Sequence, residues 1–321
     1  MEADNDYYLK LKTARLYYEK NMTQQQVARQ LHLSRPTISK LLKQAQEEGI
    51  VQIRVVDIKN KNNLLKLEKR LEQAFGLQEA IVTDFEGESE QKLKEELGEK
   101  AARYFENILD DGLKIGVSWG TTLKAVVDHL SGNRRLNQIG VLTLVGGSSH
   151  LSSDIHANIL CERLASMYNG RGNFLYAPVI VDEEWILEAI RENQETGDVL
   201  QRAREVDIAL VGIGGDLEYS TLLETGYFTK KDIERLRQYG SIGDICSRFF
   251  DVKGRACQLD INRRIVSLEL DDLRQIDRVI GVAGGAEKVT SILGALRGGF
   301  INVLVTDNLT ASRVLQSQDQ T

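Results

Sequence analysis

From Leu77 onward, runs of β-branched residues alternate with amphipathic stretches of helical period. This alternation constrains the chain more than any other feature. The strand-like runs are residues 80–83, 114–117, 139–145, 174–176, 208–213, 266–268, 278–282 and 301–306. Helix-like stretches lie between most of them, among them 90–109, 122–130, 154–168 and 287–296. Strands separated by whole helices do not pair as hairpins; each helix carries the chain back to begin a parallel neighbour. The expected class is α/β, a mainly parallel, doubly wound sheet covered on both faces. Ligands of such sheets bind beyond the carboxyl ends of the strands.

Those ends carry small polar residues. KIGVSWGTTLKAV places Ser118, Gly120, Thr121 and Thr122 between a strand and a helix. VLTLVGGSSH ends in Gly146, Gly147, Ser148 and Ser149, and IALVGIGG supplies Gly212, Gly214 and Gly215. VIGVAGGAEKVTSILGAL supplies Gly284 and Gly285, with Lys288 in the opening turn of the next helix. Glycine lets the backbone approach an anion, and hydroxyls and helix N-terminal N–H groups donate to it. One such loop is explained by tight turns alone. Four of them, two with hydroxyls and one with a lysine, favour a phosphate-bearing ligand. Nucleotide readings fit poorly: Leu217 stands where a dinucleotide fingerprint needs its third glycine, and SWGTT lacks a P-loop lysine. His150 and His156 are six apart with no Cys or acidic partner, so no metal site is expected. No nucleophile elbow supports Ser-His-Asp catalysis.

A different pattern precedes this region. Residues 23–43 read TQQQVARQLHLSRPTISKLLK. Thr23 and Gln26 have capping-box spacing, and the helix they open runs to about Leu31. Ser34 caps a second helix, Pro36 fits its first turn, and Gly49 suits its end. Val27 and Leu31 make the inner stripe of the first helix, and Leu33 fills the turn. Ala28 sits where the helices meet, and Ile38, Leu41, Leu42 and Ala45 share a narrow arc of the second. This is a helix-turn-helix whose second helix reads the major groove. The expected DNA-facing set is Thr23, Gln24, Ser34, Arg35, Pro36, Thr37, Ser39, Lys40, Lys43 and Gln44. His32 occupies a turn site where positive φ is needed, which His tolerates better than a branched residue. Residues 7–19 form a supporting helix, and IVQIRVV at 50–56 reads as a short strand that forms a wing. The expected domains are a DNA-binding head at 1–58, a linker helix at 59–76 and a ligand-binding and oligomerisation body at 77–321. In the linker, Leu64, Leu67, Leu71 and Ala74 form a short seam that either pairs protomers or packs on its own domain.

Composition agrees with this division. The chain has 321 residues and a net charge of −6, but residues 1–60 hold ten basic and seven acidic side chains. A basic head on an acidic body suits contact with nucleic acid at one end only. No run approaches the roughly 20 apolar residues of a membrane helix. The polar start is not a signal peptide. Cys161, Cys246 and Cys257 form no CxxC pair, which points to reduced thiols, a cytoplasmic location and no zinc site.

The head MTQQQVARQLHLSRPTISKLLKQAQEEGIVQIRV and the segments GVSWGTT, LVGGSSH, ALVGIG, GDICSRFFD and AGGAEKVTSILGAL resemble the SorC/DeoR family of sugar-binding transcriptional regulators. The resemblance spans nearly the whole chain in order. It implies a body similar to glucosamine-6-phosphate deaminase and ribose-5-phosphate isomerase. It also implies dimers or tetramers whose affinity for double-stranded operator DNA is set by a sugar or sugar phosphate. Carried over, SWGTT and GGSS match phosphate-handling loops. Asp244 matches an acid facing sugar hydroxyls, Lys288 a cationic phosphate contact, and Arg248 lies close by. The expected function is regulation of a carbohydrate-utilisation operon by a phosphorylated sugar or sugar alcohol, with no cofactor and no membrane partner. The alternative is a phosphosugar isomerase or deaminase fused to a DNA-binding head. Isomerisation needs a carboxylate base and a second acid/base group, and only Asp244 presents itself.

Overall fold

The computed structural model describes residues 2–20, 22–51, 61–87, 89–148, 153–215 and 228–319. The chain divides into two compact units, residues 1–59 and 60–321.

In the first unit, helix α1 (Glu2–Ala14) runs directly into a π-helical turn (Arg15–Glu19), which the sequence pattern did not distinguish from ordinary helix. α2 (Gln24–Leu31) and α3 (Arg35–Glu47) follow. Thr23 accepts from the Gln26 N–H, and the Gln26 side chain accepts from the Thr23 N–H at 2.8 Å, so the capping box is complete. Ser34 caps α3 by accepting from the Thr37 N–H. His32 ends α2 at φ 56°, the left-handed turn position. Val27, Ala28, Ile38, Leu41 and Leu42 form the core, with Leu9, Leu16, Tyr17, Met22, Leu31 and Leu33 packed around it. After α3 the chain folds back, and the Val51 N–H donates to the Ala45 carbonyl. Ile50 and Val51 belong to no strand, and the rest of the expected wing lies outside the described residues.

The second unit is built on strands β1 (Glu79–Thr83), β2 (Lys114–Val117), β3 (Gly140–Thr143), β4 (Arg171–Asn173), β5 (Ile208–Gly212), β8 (Arg278–Val282) and β9 (Val303–Asp307). They form one sheet in the order β1-β9-β8-β5-β2-β3-β4, parallel at every pairing. β6 (Ser241–Ile245) and β7 (Arg248–Asp251) make a separate antiparallel hairpin. Alternate residues of the strands face opposite sides. Ile115, Val117, Ile208, Leu210, Val303 and Val305 pack under α5 (Glu90–Ile108), α6 (Thr121–Asp128) and α7 (Ala157–Met167). Ala209, Val211, Val279 and Leu304 face a second core. That core is shared with α4 (Lys61–Phe75), the β6–β7 hairpin and the helices Lys230–Gln238, Val289–Arg297 and Asn308–Asp319.

Two expectations need correction. Residues 266–268 form no strand; Ile265 and Ser267 make isolated bridges to Ile180 and Val145. The run at 174–176 follows β4 rather than forming it. The helix expected at 59–76 appears as α4 (Lys61–Phe75). Leu71 of α4 is fully buried in the body's own core, and Leu64 and Leu67 pack against it, while Ala74 is exposed. α4 also covers β1, an edge strand of the sheet. Glu72 accepts from the Ala80 N–H at 3.1 Å and Glu68 from the Val82 N–H at 2.9 Å, two groups that a neighbouring strand would otherwise bind.

Candidate functional site

The strand order reverses between β2 and β5: the chain goes from β2 outward to β3 and β4, then returns to β5 on the other side. A cavity lies beyond the carboxyl ends of these strands, where doubly wound sheets bind ligands. Ser118, Trp119, Gly120, Thr121 and Thr122 follow β2 and open α6, while Gly212, Ile213 and Gly214 end β5. Asp244 and Cys246 come from the β6–β7 hairpin, and Ala283, Gly284, Glu287 and Lys288 follow β8. α5 closes one wall with Glu90, Leu93, Lys94 and Leu97.

The glycines act differently from the sequence expectation. The N–H groups of Gly146, Gly147, Gly120 and Gly214 donate to the carbonyls of Val266, Ala177, Ile155 and Asp244. The Gly285 N–H donates to Asp307 and Thr310 side chains, both at 2.9 Å. These N–H groups are engaged inside the fold and do not form an anion cradle. The glycines instead clear space. A Cβ on Gly214 would lie 1.8 Å from the Asp244 Oδ1, and one on Gly215 would lie 2.7 Å from the Lys288 Cδ. Donor side chains lining the cavity are Ser118, Thr121, Thr122, Lys94 and Lys288, and the first turn of α6 borders it. Its leading N–H groups lack intrahelical partners.

Asp244 is buried, and burial raises its pKa to about 6 against the pull of Lys288 and of the Ser247 N–H, which donates to Oδ2 at 3.2 Å. Burial lowers the pKa of Lys288 in turn, while Asp244 and Glu287 oppose that shift. Lys288 ends a 3₁₀ turn (Ala286–Lys288) and stands at the N-cap of the helix Val289–Arg297 rather than in its opening turn. Glu90 is paired with Lys94 at 2.6 Å, which holds its carboxyl below the usual range.

Two expected contacts lie elsewhere. Arg248 turns away from the cavity: its guanidinium donates to the carbonyls of Asn262, Ile265, Ser267 and Leu268 and pairs with Glu269 at 2.7 Å. It stitches the irregular 262–269 segment to the hairpin. Gly146, Gly147 and Ser148 line a second, smaller cavity with His156, Ala157 and Val179; Trp119 borders both. β5 and β2 stand between β8 and β3, so about 14 Å separates the ends that carry Lys288 and Ser148. Ser148 and Lys288 line different cavities. Ser149 and His150 lie outside the described residues. The sequence reading passed over Trp119, Cys246 and Ser247. The only signal for the hairpin was the alternation in SIGDI and RFFD. No group of three or more His, Cys, Asp or Glu side chains suited to a metal ion occurs among the described residues.

In the head, Arg35, Pro36, Ser39 and Lys40 are exposed along one side of α3, with Lys43 further on, 3.7 Å from Glu47. Thr37 and Gln44 are half-buried, and Thr23, Gln24 and Arg35 share an open cleft with Tyr17 and Tyr18 of the π-helical turn. No helix among the described residues is long and apolar enough to cross a membrane.

Comparison with known proteins gives a family. A family model described as "Putative sugar-binding domain" matches residues 59–316, and one described as "Crp-like helix-turn-helix domain" matches residues 8–67. The chain is 36% identical over 303 residues to the deoxyribonucleoside regulator of Bacillus subtilis (strain 168), covering 94% of this chain and 96% of that one. It is 35% identical over 317 residues to the sorbitol operon regulator of Klebsiella pneumoniae, covering 98% and 100%. The crystal structure of the full-length regulator SorC from Klebsiella pneumoniae superposes with a TM-score of 0.74 at 35% identity, covering 97% of this chain and 99% of that one. A helix-turn-helix head and an α/β body with a ligand cavity at its switch point define an effector-controlled, DNA-binding transcriptional regulator. The chain belongs to the SorC/DeoR family of sugar-binding transcriptional regulators.

Proposed function

We propose that the cavity holding Asp244 and Lys288 takes a phosphorylated sugar or sugar alcohol, and that its binding sets the affinity of the head for the operator of a carbohydrate-utilisation operon. One observation carries this reading: a buried acid and a largely buried cation face the same cavity at the strand ends, beside the start of α6. A carboxylate accepts from sugar hydroxyls, whereas an ammonium and helix N-terminal N–H groups bind phosphate. The names of two relatives, a deoxyribonucleoside regulator and a sorbitol operon regulator, support an effector of this class. Binding without turnover fits the site. Besides Asp244, the carboxylates lining the cavity are Glu90, which is held by Lys94, and Glu287, next to Lys288 in sequence; the one described histidine near the strand ends, His156, lines the other cavity. Incubation with sugar phosphates should give no product.

The test begins with thermal shifts of the protein in sugar monophosphates and the parent sugars. A ligand at 100-fold its Kd stabilises by about 2.7 kcal/mol. Calorimetry with the best phosphorylated ligand should then show Lys288→Ala losing one charge-assisted bond of about 1.5–3 kcal/mol, roughly a 10- to 150-fold loss of affinity. Ser148→Ala should bind as wild type does. Equal affinity of Lys288→Ala and wild type for the phosphorylated ligand would reject the placement of the phosphate.

A further inference from the structure

We propose that Trp119 and Ser247 are positioning residues for the effector. The Trp119 indole N–H holds the Cys246–Ser247 turn in its left-handed conformation, and that turn aims the Asp244 carboxylate into the cavity. This rests on reading the cavity as the effector site.

β6 and β7 pair Ile245 with Arg248, which leaves a loop of only two residues, Cys246 and Ser247. Both have positive φ, 52° and 65°. A two-residue hairpin loop with both central residues in that region is a type I′ turn, which strongly prefers Asn-Gly. Neither Cys nor Ser adopts it readily, so surrounding contacts must hold it. The Trp119 Nε1–H donates to the fully buried Ser247 Oγ at 3.1 Å. Trp119 is fixed in turn on both sides, because the Ser118 N–H donates to the Leu210 carbonyl and the Gly120 N–H to that of Ile155. On the far side, Arg248 anchors β7 to the 262–269 segment.

The turn then determines the acid. The Ser247 N–H donates to Asp244 Oδ2, and Oδ1 occupies the space left by the missing side chain of Gly214. Both oxygens are therefore placed by backbone, and one of the two placements depends on the left-handed turn. The charged and titratable groups around Asp244 are Cys246 on its own hairpin, Lys288 and Glu287 after β8, and Glu90 and Lys94 on α5. None of them makes the contact that Ser247 makes. Trp119 also joins the loop that opens α6 to the hairpin, beside the hydrogen bond between the Ser118 side chain and Cys246.

The test uses the full chain carrying Trp185→Phe, which leaves Trp119 as the only tryptophan. Its fluorescence is followed from about pH 4 to pH 8, a range that spans ordinary carboxyl and histidine titration. One transition near pH 6 is expected, and Asp244→Asn should abolish it. Ser247→Ala, with no hydroxyl and no ease at positive φ, should move the midpoint upward by about one unit as the N–H bond to Asp244 is lost. Ser247→Gly, at ease in that conformation, should return the midpoint towards that of wild type. A residue of merely structural importance would move stability in these variants and leave the midpoint in place. A transition that survives Asp244→Asn, or an unmoved midpoint in Ser247→Ala, overturns the proposal. Calorimetry with glucose 6-phosphate, sorbitol 6-phosphate and 2-deoxyribose 5-phosphate separates the two readings. The ligand that binds wild type should bind Trp119→Phe about tenfold more weakly. If none binds, the effector reading falls, while the pH transitions still decide whether Trp119 and Ser247 position Asp244.

Discussion

Asp244 is ionised at neutral pH inside the fold, with a pKa of about 6 against an ordinary value of 3.8. Between those values the folded chain keeps a proton that the unfolded chain has released. Stability therefore falls as pH rises through this window, by on the order of 3 kcal/mol in total, and the penalty persists above it. Asp244→Asn should melt above wild type at pH 8, and its advantage should shrink as pH falls from 6 towards 4. Equal melting temperatures at both ends would contradict this. The same variant should bind the effector more weakly, the usual opposition between stability and function at a site. Gly214→Ala tests the geometry from the other side. A Cβ 1.8 Å from Oδ1 must displace the carboxylate, so effector affinity should drop even though the substitution adds only a methyl group. Wild-type affinity in that variant, measured by calorimetry, would show that the position of Asp244 does not matter.

At the scale of elements, α3 carries its apolar residues inward and leaves Arg35, Pro36, Ser39 and Lys40 exposed together. Lys40→Ala should weaken binding to operator and random DNA alike if Lys40 meets phosphate, lowering the salt slope by about one. Arg35→Ala should relax sequence preference by about 1–3 kcal/mol at one position if Arg35 reaches a base edge. Unchanged binding by both variants over a salt series would remove α3 from the groove. The head was legible in the sequence because its signals are local: Thr23 with Gln26, Ser34 with Pro36, and a stripe at helical spacing. The sheet strands were legible as apolar runs between helices, except β4, whose residues Arg171, Gly172 and Asn173 are not apolar. The β6–β7 hairpin was not, because Cys246 and Ser247 stand where a turn normally announces itself with Asn-Gly, and only tertiary contacts hold them. The glycine loops lie at the strand ends, and the N–H groups of Gly120, Gly146, Gly147, Gly214 and Gly285 bond within the fold. Sequence shows that a side chain is missing; it does not show whether the N–H points at a ligand or, as with Gly146 and Gly285, back into the fold. Arg248 misled for a similar reason, since nearness in sequence to Asp244 says nothing about β-strand alternation, which sends the two side chains apart.

For the whole molecule, a single head of this size contacts few base pairs, and we propose that the protein self-associates, as a dimer or tetramer, to read a two-part operator. Moving the half-sites apart by half a helical turn, about 5 base pairs, should lower affinity sharply in a gel-shift assay, whereas a full turn should be tolerated better. A monomer in sedimentation with operator bound would reject this. In the seam, Leu71 is buried in the body's own core and Leu64 and Leu67 pack against it, half-buried. The sequence could not distinguish the two uses, since a leucine stripe looks the same to a partner helix and to a sheet. How α4 is fastened sets where the chain can be divided. Glu68 and Glu72 occupy the place of a missing strand along β1. A truncation starting at Asn60 keeps them and should stay monodisperse by light scattering. One starting at Leu77 strips them away, bares the N–H groups of Ala80 and Val82 beside an uncovered apolar face, and should form large particles. The effector body therefore begins, in practical terms, at its first helix and not at its first strand.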